Sequence, residues 1–289
     1  LLSAFATDLN DLDRFCSKAY NTSQPDCRFR DTKGSIAPLA QITDQISIME
    51  LFQGPTLSFK DYALQLLGHL FEHVLEARNE TLTILTATSG DTGSAAIEAC
   101  RGHDRIRLFV LHPYERVSDV QRRQMTTVQA DNIHNIAIKG SFDDCQNMVK
   151  TLFADKEFKA KHRLSAMNSI NWGRINAQME YYAHALQSYN EPVSFVVPSG
   201  NFGNIFAGYA LKSMGFPIKK LVIATNKNDI LTRFFESGEM KMHGVHPSLS
   251  PSMDIQISSN FERYLFDLFE RDSKRLEQTM QSFKQNKSL

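Results

Sequence analysis

Short, almost continuously apolar stretches alternate along most of the chain with longer stretches whose apolar positions repeat at helical spacing. The short stretches are rich in Ile, Val, Leu and Thr, and they predict strands over 82–88, 106–112, 132–139, 193–197 and 220–225. The longer stretches predict helices over 62–77, 94–101, 118–128, 142–153, 172–188 and 205–214. Strands without polar alternation, separated by helices, are typical of parallel sheets covered on both faces. Because 289 residues exceed one average domain, we expect an α/β fold with two lobes and mainly parallel sheets sandwiched by helices.

The region before the first of these strands is less regular. Apolar residues at helical spacing predict one or two short helices within the first 20 residues, at Leu2, Phe5, Leu9, Leu12 and Phe15. A polar loop is predicted over 21–45, followed by a short strand over 46–51 and a turn at Gly54-Pro55. Two helix starts carry capping patterns, Ser118 with Gln121 and Ser141 with Asp144.

Composition excludes several classes of function. The 32 basic and 32 acidic residues cancel, so no basic surface for nucleic acid is expected. No apolar run reaches membrane-spanning length, and no signal-peptide pattern is present. Four irregularly spaced cysteines fit neither a zinc site nor a disulfide framework, which indicates reduced thiols in a cytoplasmic protein. His69 and His73 lie on one helix face, but Glu72 is not placed as in a helical zinc-protease motif, so no metal is predicted.

Two strand-to-helix junctions are rich in small residues. They are Thr88-Ser89-Gly90-Asp91-Thr92-Gly93 and Pro198-Ser199-Gly200-Asn201-Phe202-Gly203-Asn204. Glycine lets the backbone N–H groups turn inward, and the following helix N-terminus favours negative charge. Each junction therefore predicts an anion-binding loop. Taken singly, a turn with a purely structural role is an equally good interpretation. Neither matches a nucleotide-binding motif.

A third segment, Gly54-Pro55-Thr56-Leu57-Ser58-Phe59-Lys60-Asp61, places a lysine where a helix begins. The apolar neighbour Phe59 and the positive end of the helix both lower the pKa of an amine at this position. A lysine that forms imines needs a lowered pKa, but a solvated lysine near a helix start is the alternative.

Together, these three segments resemble, in order and spacing, the motifs of the tryptophan-synthase-like family of pyridoxal-phosphate (PLP) enzymes. Within that family the fuller strings look like those of the threonine synthases, over roughly residues 50–253. A fourth string, Asn168-Ser169-Ile170-Asn171-Trp172-Gly173-Arg174, is similar to the segment that the threonine synthases use near the substrate phosphate. The resemblance implies the fold type II of PLP enzymes, PLP as cofactor, and conversion of O-phospho-L-homoserine and water to L-threonine and phosphate. It also implies a lyase of threonine biosynthesis that acts on a small molecule as a monomer or homodimer.

The resemblance further implies a role for each matching residue. Lys60 would carry PLP as a Schiff base and then act as general acid and base. The cofactor phosphate would be bound by a loop of five residues, Gly200, Asn201, Phe202, Gly203 and Asn204. Asp91 would contact the 3′-hydroxyl of the cofactor ring. The substrate carboxylate would be received by Ser89, Gly90 and Thr92, and the substrate phosphate by Asn168, Ser169, Asn171 and Arg174.

The domain assignment follows from the same resemblance. Residues 1–50 would form N-terminal helices and an entry strand packed on the large domain, 51–167 a smaller α/β domain with Lys60, and 168–289 a portion of the large domain. Because the chain opens on Leu1 and closes on a polar stretch, we expect N- and C-terminal segments of the fold to be lacking. The Ser or Thr that normally meets the pyridine nitrogen is not found.

Two alternative functions remain at this point. One is another PLP-dependent lyase or dehydratase of the same fold, against which Asp91 and the 168–174 segment argue. The other is a protein that binds PLP and a phosphorylated ligand without turning the ligand over.

Overall fold

The computed structural model describes residues 11–32 and 34–288, so the predicted helical positions Leu2, Phe5 and Leu9 lie outside the described residues. The α-helices within them are α1 (Leu12–Tyr20), α2 (Lys60–Ala77), α3 (Asp91–Cys100), α4 (Asp119–Thr126), α5 (Phe142–Ala154), α6 (Lys156–Lys161), α7 (Trp172–Leu186), α8 (Gly203–Ser213), α9 (Ile230–Ser237), α10 (Phe261–Leu268) and α11 (Ser273–Asn286). The strands are β1 (Leu39–Thr43), β2 (Ile46–Met49), β3 (Leu82–Ala87), β4 (Ile106–Pro113), β5 (Ile133–Ile138), β6 (Leu164–Ser165), β7 (Val193–Pro198) and β8 (Ile218–Ala224).

The chain divides into two compact units, one ending at Ala177 and the other beginning at Gln178. The division falls inside α7, beyond the boundary that the sequence predicts after residue 167. The three-part assignment to residues 1–50, 51–167 and 168–289 stays a prediction.

The first unit is built on a parallel sheet with the strand order β5-β4-β3-β6. Its core is made of apolar side chains from the sheet, from α2 and from α3, among them Leu64, Ile84, Ile97 and Leu108, together with Met167 from the segment after β6. β3 lies inside the sheet, and its carboxyl end leads directly into the loop at 88–93. This is the edge of a parallel sheet at which ligands bind in open α/β folds.

Helix α2 is held firmly in this unit. Gly68 packs against the backbone of α3 so closely that a Cβ atom there would overlap the Ala99 carbonyl group. Most residues in the first half of α2 are buried, so the helix has little freedom to shift. The first residue of this fixed helix is Lys60.

The second unit contains the parallel pair β7 and β8, with α8 between them in the chain. An aromatic cluster packs beside them and joins α8, α9 and α10, with members Phe202, Phe206, Phe234, Phe235, Phe261 and Tyr264. This cluster surrounds the start of α8 and therefore fixes the loop that precedes it.

The predicted alternation of strands and helices is confirmed, and the sheet β5-β4-β3-β6 and the pair β7-β8 are parallel as expected. The predicted loop over 21–45 is wrong at its end, because β1 pairs with β2 as an antiparallel hairpin. The prediction that the strands are covered on both faces is also wrong for β7 and β8, since Val196 is 68% exposed and Val222 is 43% exposed. Their sheet has two strands among the described residues, which leaves these side chains in contact with water.

Both predicted helix caps are present. Ser141 and Asp144 form a complete capping box at the start of α5. The Ser118 hydroxyl accepts a hydrogen bond from the Gln121 backbone N–H at 3.3 Å, whereas the amide nitrogen of the Gln121 side chain binds a residue outside the helix, described below.

Candidate active site

The loop before Lys60 is folded around the buried carboxylate of Asp61. Asp61 accepts hydrogen bonds from the Thr56 backbone N–H at 2.9 Å and from the Thr56 hydroxyl at 2.7 Å. Gly54 lies directly against it, and a Cβ atom at Gly54 would come within 2.8 Å of Asp61 Cγ. Burial raises the pKa of the Asp61 carboxyl to about 6, and the hydrogen bonds from Thr56 oppose that shift. Asp61 therefore shapes the loop that presents the neighbouring lysine.

The Lys60 side chain is 12% exposed, and its Nζ lies 3.1 Å from Asp91 Oδ2. Burial lowers the pKa of the Lys60 amine because a charged ammonium loses hydration there. The Asp91 carboxylate opposes this effect, and the positive charge of Arg174 adds to it. The ring of Phe59 lies 5.8 Å from Nζ. The lowered pKa that the sequence predicts is thus found, with burial as its main cause.

The loop after β3 is organised by the Thr88 hydroxyl. Its oxygen accepts hydrogen bonds from the backbone N–H groups of Gly90 at 3.0 Å and Gly93 at 2.9 Å. Gly90 has φ 152°, a conformation that side chains other than hydrogen rarely allow. Because Thr88 already binds the Gly90 N–H, this group is not available to the predicted carboxylate site. The donors for an anion have to come from its neighbours.

The segment at 168–174 forms the start of α7, as the sequence predicts. The Asn171 side-chain oxygen accepts a hydrogen bond from the Arg174 backbone N–H at 3.3 Å and so caps the helix. Arg174 is 2% exposed, which rules out an arginine solvated on the outer face of the helix. Asn168, Ser169 and Asn171 are half-buried. In the first unit the structure therefore brings Lys60, Asp91 and Arg174 into one electrostatic neighbourhood.

The loop at 200–204 belongs to the second unit, and residues 258 and 260 fix it by donating hydrogen bonds to its carbonyl groups. The Ser258 hydroxyl donates to the Gly200 carbonyl at 2.7 Å, and the Asn260 backbone N–H and side-chain amide both donate to the Asn201 carbonyl at 3.1 Å. Within the described residues, no backbone N–H from Gly200 to Asn204 donates to a protein acceptor. The loop thus offers a row of donors at the N-terminus of α8, which suits an anion.

Two further features support an anion at this loop. The Ser199 side chain is 5% exposed, and its hydroxyl has no hydrogen-bond partner among the described residues. Phe202 has φ 60° and is buried in the aromatic cluster, so packing holds it in a left-handed conformation that the loop needs. Asn204, by contrast, directs its side-chain oxygen to the hydroxyls of Tyr181 at 2.6 Å and Tyr182 at 2.8 Å.

Some of these contributors could not be identified from the sequence. Ser199 stands inside the predicted loop but carries no signal of its own, and Ser258 and Asn260 lie far along the chain. The histidines considered for metal binding pack on aromatic rings, His69 on His103 and His73 on Phe15. In the described part of the chain, no group of three or more His, Cys, Asp or Glu side chains is arranged to hold a metal ion.

Comparison with known proteins places this arrangement in a family. The model of the pyridoxal-phosphate dependent enzymes matches residues 39–280. The chain belongs to that family. The matched region includes the lysine segment, the loop after β3 and the loop before α8.

Within the PLP-dependent enzymes, this chain is similar to threonine synthases. It is 56% identical to threonine synthase of Pseudomonas aeruginosa over 258 residues, which are 88% of this chain and 55% of that protein. A crystal structure of PLP-bound threonine synthase from Brucella melitensis is 51% identical, with a TM-score of 0.90 over 96% of this chain and 59% of that one. Yeast threonine synthase is 42% identical with a TM-score of 0.88, over 98% and 60%. The predicted fold type II is thereby confirmed, and the chain spans a little over half the length of these relatives.

The residues present suit the cofactor of this family. In the described part of the second unit, backbone N–H groups and the buried Ser199 hydroxyl lie without protein partners at a helix N-terminus, which suits a phosphate. The first unit has a buried lysine with a lowered pKa, which suits imine formation. Among the described residues, no helix combines the length and apolar character needed to cross a bilayer.

Proposed function

We propose that the protein containing this chain is a threonine synthase, converting O-phospho-L-homoserine and water to L-threonine and inorganic phosphate. The observation that carries the proposal is the buried Arg174, whose positive charge acts on the Lys60 amine. A fixed guanidinium at that position suits a phosphorylated substrate, because guanidinium and phosphate match in charge and geometry. The similarity to threonine synthases of bacteria and yeast supports the same reaction.

When bound, PLP supplies an electron sink that stabilises negative charge next to the substrate's amino nitrogen. In our proposal Lys60 holds the cofactor before substrate arrives and afterwards moves protons between the substrate carbons. An amine can serve both as acid and as base when its pKa is close to the working pH. Burial and Arg174 move the Lys60 pKa in that direction, whereas Asp91 limits the shift.

The remaining residues bind and orient. We propose that Gly200, Asn201, Phe202, Gly203 and Asn204 hold the cofactor phosphate, chiefly through backbone N–H groups, with the Ser199 hydroxyl as a further donor. Phe202 acts by fixing the loop, because its ring is buried in the aromatic cluster. Asn204 acts in the same way, since its side-chain oxygen is bound by Tyr181 and Tyr182.

For the substrate, we assign the carboxylate to Ser89, Gly90 and Thr92, and the phosphate to Asn168, Ser169, Asn171 and Arg174. Asp91 is the acceptor for the cofactor's 3′-hydroxyl. Since the Asn171 side-chain oxygen caps α7, its amide nitrogen is the atom left to donate to a phosphate.

A direct assay tests the proposal. The purified protein, expressed from its complete reading frame and supplied with PLP, should release phosphate and threonine in equal amounts from O-phospho-L-homoserine. Lys60→Arg keeps the positive charge but cannot form an imine at neutral pH, so we expect phosphate release to fall at least about 10³-fold. Turnover of serine or threonine alone would instead establish a dehydratase-like lyase, and PLP binding without turnover a ligand-binding protein.

We further propose a cytoplasmic protein that acts on its small-molecule substrate as a monomer or homodimer, without nucleic acid or membrane partners. No disulfide joins any two of Cys16, Cys27, Cys100 and Cys145, which suits a reducing compartment. Light scattering on the complete protein distinguishes the two oligomeric states.

A further inference from the structure

Helix α4 places a glutamine against the carboxylate that pairs with Lys60. Gln121 Nε2 donates a hydrogen bond to Asp91 Oδ1 at 2.5 Å, while Asp91 Oδ2 pairs with Lys60 Nζ at 3.1 Å. Both oxygens of the Asp91 carboxylate are thus bound, one by each neighbour. The carboxylate cannot rotate without breaking one of these contacts.

The orientation of the Gln121 amide is itself set by the start of α4. The Ser118 hydroxyl donates to Gln121 Oε1 at 3.0 Å, so the amide nitrogen is the end that faces Asp91. Gly90 completes the arrangement, because the Gln121 amide occupies the space that a Cβ atom there would need. In a simple capping box the Gln121 side chain would return to the Ser118 backbone N–H. Here it reaches instead to a residue 30 positions earlier.

We propose that Gln121 is a positioning residue that holds the Asp91 carboxylate toward the Lys60 amine and toward the 3′-hydroxyl of a bound cofactor. The part concerning the cofactor rests on the proposed function, whereas the part concerning Lys60 rests on contacts within the first unit alone. Gln121 touches neither substrate nor reacting atoms in this proposal. It acts through Asp91.

The charged groups around Lys60 determine whether the pKa of its amine rises or falls when Gln121 is replaced. Asp91 and Asp61 favour the charged amine, whereas burial and Arg174 favour the neutral one. Without the Gln121 amide, Asp91 can turn away, and the pKa of Lys60 should fall further. Replacing the amide by a second carboxylate adds negative charge near Lys60, and the pKa should then rise.

Competitive acylation of Lys60 tests this in protein freed of cofactor. A small reagent such as acetic anhydride reacts with neutral amines, and mass spectrometry of the Lys60 peptide gives the rate at each pH. We expect Gln121→Met to raise the rate at pH 7 about three- to tenfold, corresponding to a pKa lower by roughly 0.5 to 1 unit. We expect Gln121→Glu, which keeps the size of the side chain, to lower the rate.

Gln129→Met is the matched control. Gln129 lies just beyond α4 at an exposed position, so the Lys60 profile should not move. The proposal is overturned if both Gln121 variants label like the parent, or if Gln129→Met shifts the profile as Gln121→Met does. Should Gln121→Met fail to fold, Gln121→Ala, which also removes the amide from this half-buried position, gives the same test. Because neither substrate nor PLP is present, a negative result here leaves the proposed reaction untouched, and a failed synthase assay leaves this result standing.

Discussion

Arg174 combines two effects on the proposed site. The residue is 2% exposed, and its positive charge lowers the pKa of the Lys60 amine. A charge-assisted hydrogen bond to a buried anion contributes roughly 1.5 to 3 kcal/mol. The same side chain therefore affects both substrate binding and the protonation of the catalytic amine.

We expect Arg174→Met to lower kcat/KM for O-phospho-L-homoserine about ten- to a hundredfold, while PLP absorbance is retained. Met is chosen because it fills most of the buried volume. Removal of a like charge raises the Lys60 pKa, so the limb of the pH–rate profile that reports the neutral amine should move to higher pH. Arg174→Lys keeps the positive charge but not the paired N–H donors of a guanidinium. It should therefore restore the parent's pH–rate profile more fully than it restores kcat/KM. Loss of PLP in Arg174→Met would place this arginine at the cofactor phosphate instead.

The loops around the site depend on close contacts within single units. Gly54 leaves room for the Asp61 carboxylate, which in turn holds Thr56 and the turn before Lys60. Because Asp61 is buried at the start of α2, it cannot move aside freely.

We expect Gly54→Ala to lower the free energy of unfolding by about 1 to 3 kcal/mol, as overpacking does in well-packed sites. Urea denaturation measures this directly. Gly102→Ala is a useful comparison, since a Cβ there meets no atom within 4 Å and only its positive φ of 80° adds strain. Equal losses in both variants would show that contact with Asp61 is not the cause at Gly54.

The loop at 200–204 is expected to depend on its distant supports. Ser258→Ala removes the hydroxyl that binds the Gly200 carbonyl, a contact of 2.7 Å. A hydrogen bond of this kind contributes about 1 kcal/mol, so PLP binding should weaken roughly fivefold. The exposed Ser273→Ala serves as control, and fluorescence titration with PLP provides the measurement. Unchanged affinity for Ser258→Ala would contradict a role of this support in the cofactor loop.

For the chain as a whole, we expect histidines with lowered pKa values to contribute to the response to acid. Burial lowers the pKa of His69 to about 4, with the charge on His103 and nearby Lys18 adding to the effect. Burial also lowers the pKa values of His103 and His112. Between pH 6.5 and 4 the unfolded chain binds protons at His69 that the folded chain does not, so stability falls as the pH is lowered. Asp61 acts in the opposite sense, because its pKa is raised to about 6 and it binds its proton more readily when folded.

We expect His69→Gln to reduce the stability lost between pH 7 and pH 5 by about 1 to 2 kcal/mol, allowing for solvent screening of a half-buried ring. Comparing the two pH values within each variant removes any constant packing effect of the substitution. His134→Gln, at an exposed position, is the matched control. If His69→Gln loses as much stability as the parent, His69 does not govern the acid response.

Local sequence was sufficient to predict the alternation of strands and helices and the capping box at Ser141. It was also sufficient to single out the segments around Lys60, Gly90, Gly200 and Arg174 as candidates for binding. Each of these depends on residues a few positions apart, because helical periodicity, glycine turns and caps are set by neighbouring backbone. The start of α7 at Trp172 is one example, since Asn171 caps it from the adjacent position.

Tertiary structure alone decided which residues meet across the chain. Nothing in the spacing of Gln121 or Ser258 indicated that they bind Asp91 and the Gly200 carbonyl, because packing of separate helices and loops creates those contacts. The burial of Arg174 and the pairing of β1 with β2 were decided in the same way. A local pattern indicates which groups are available, but their protonation and partners depend on dielectric and contacts that exist only after distant segments have packed together.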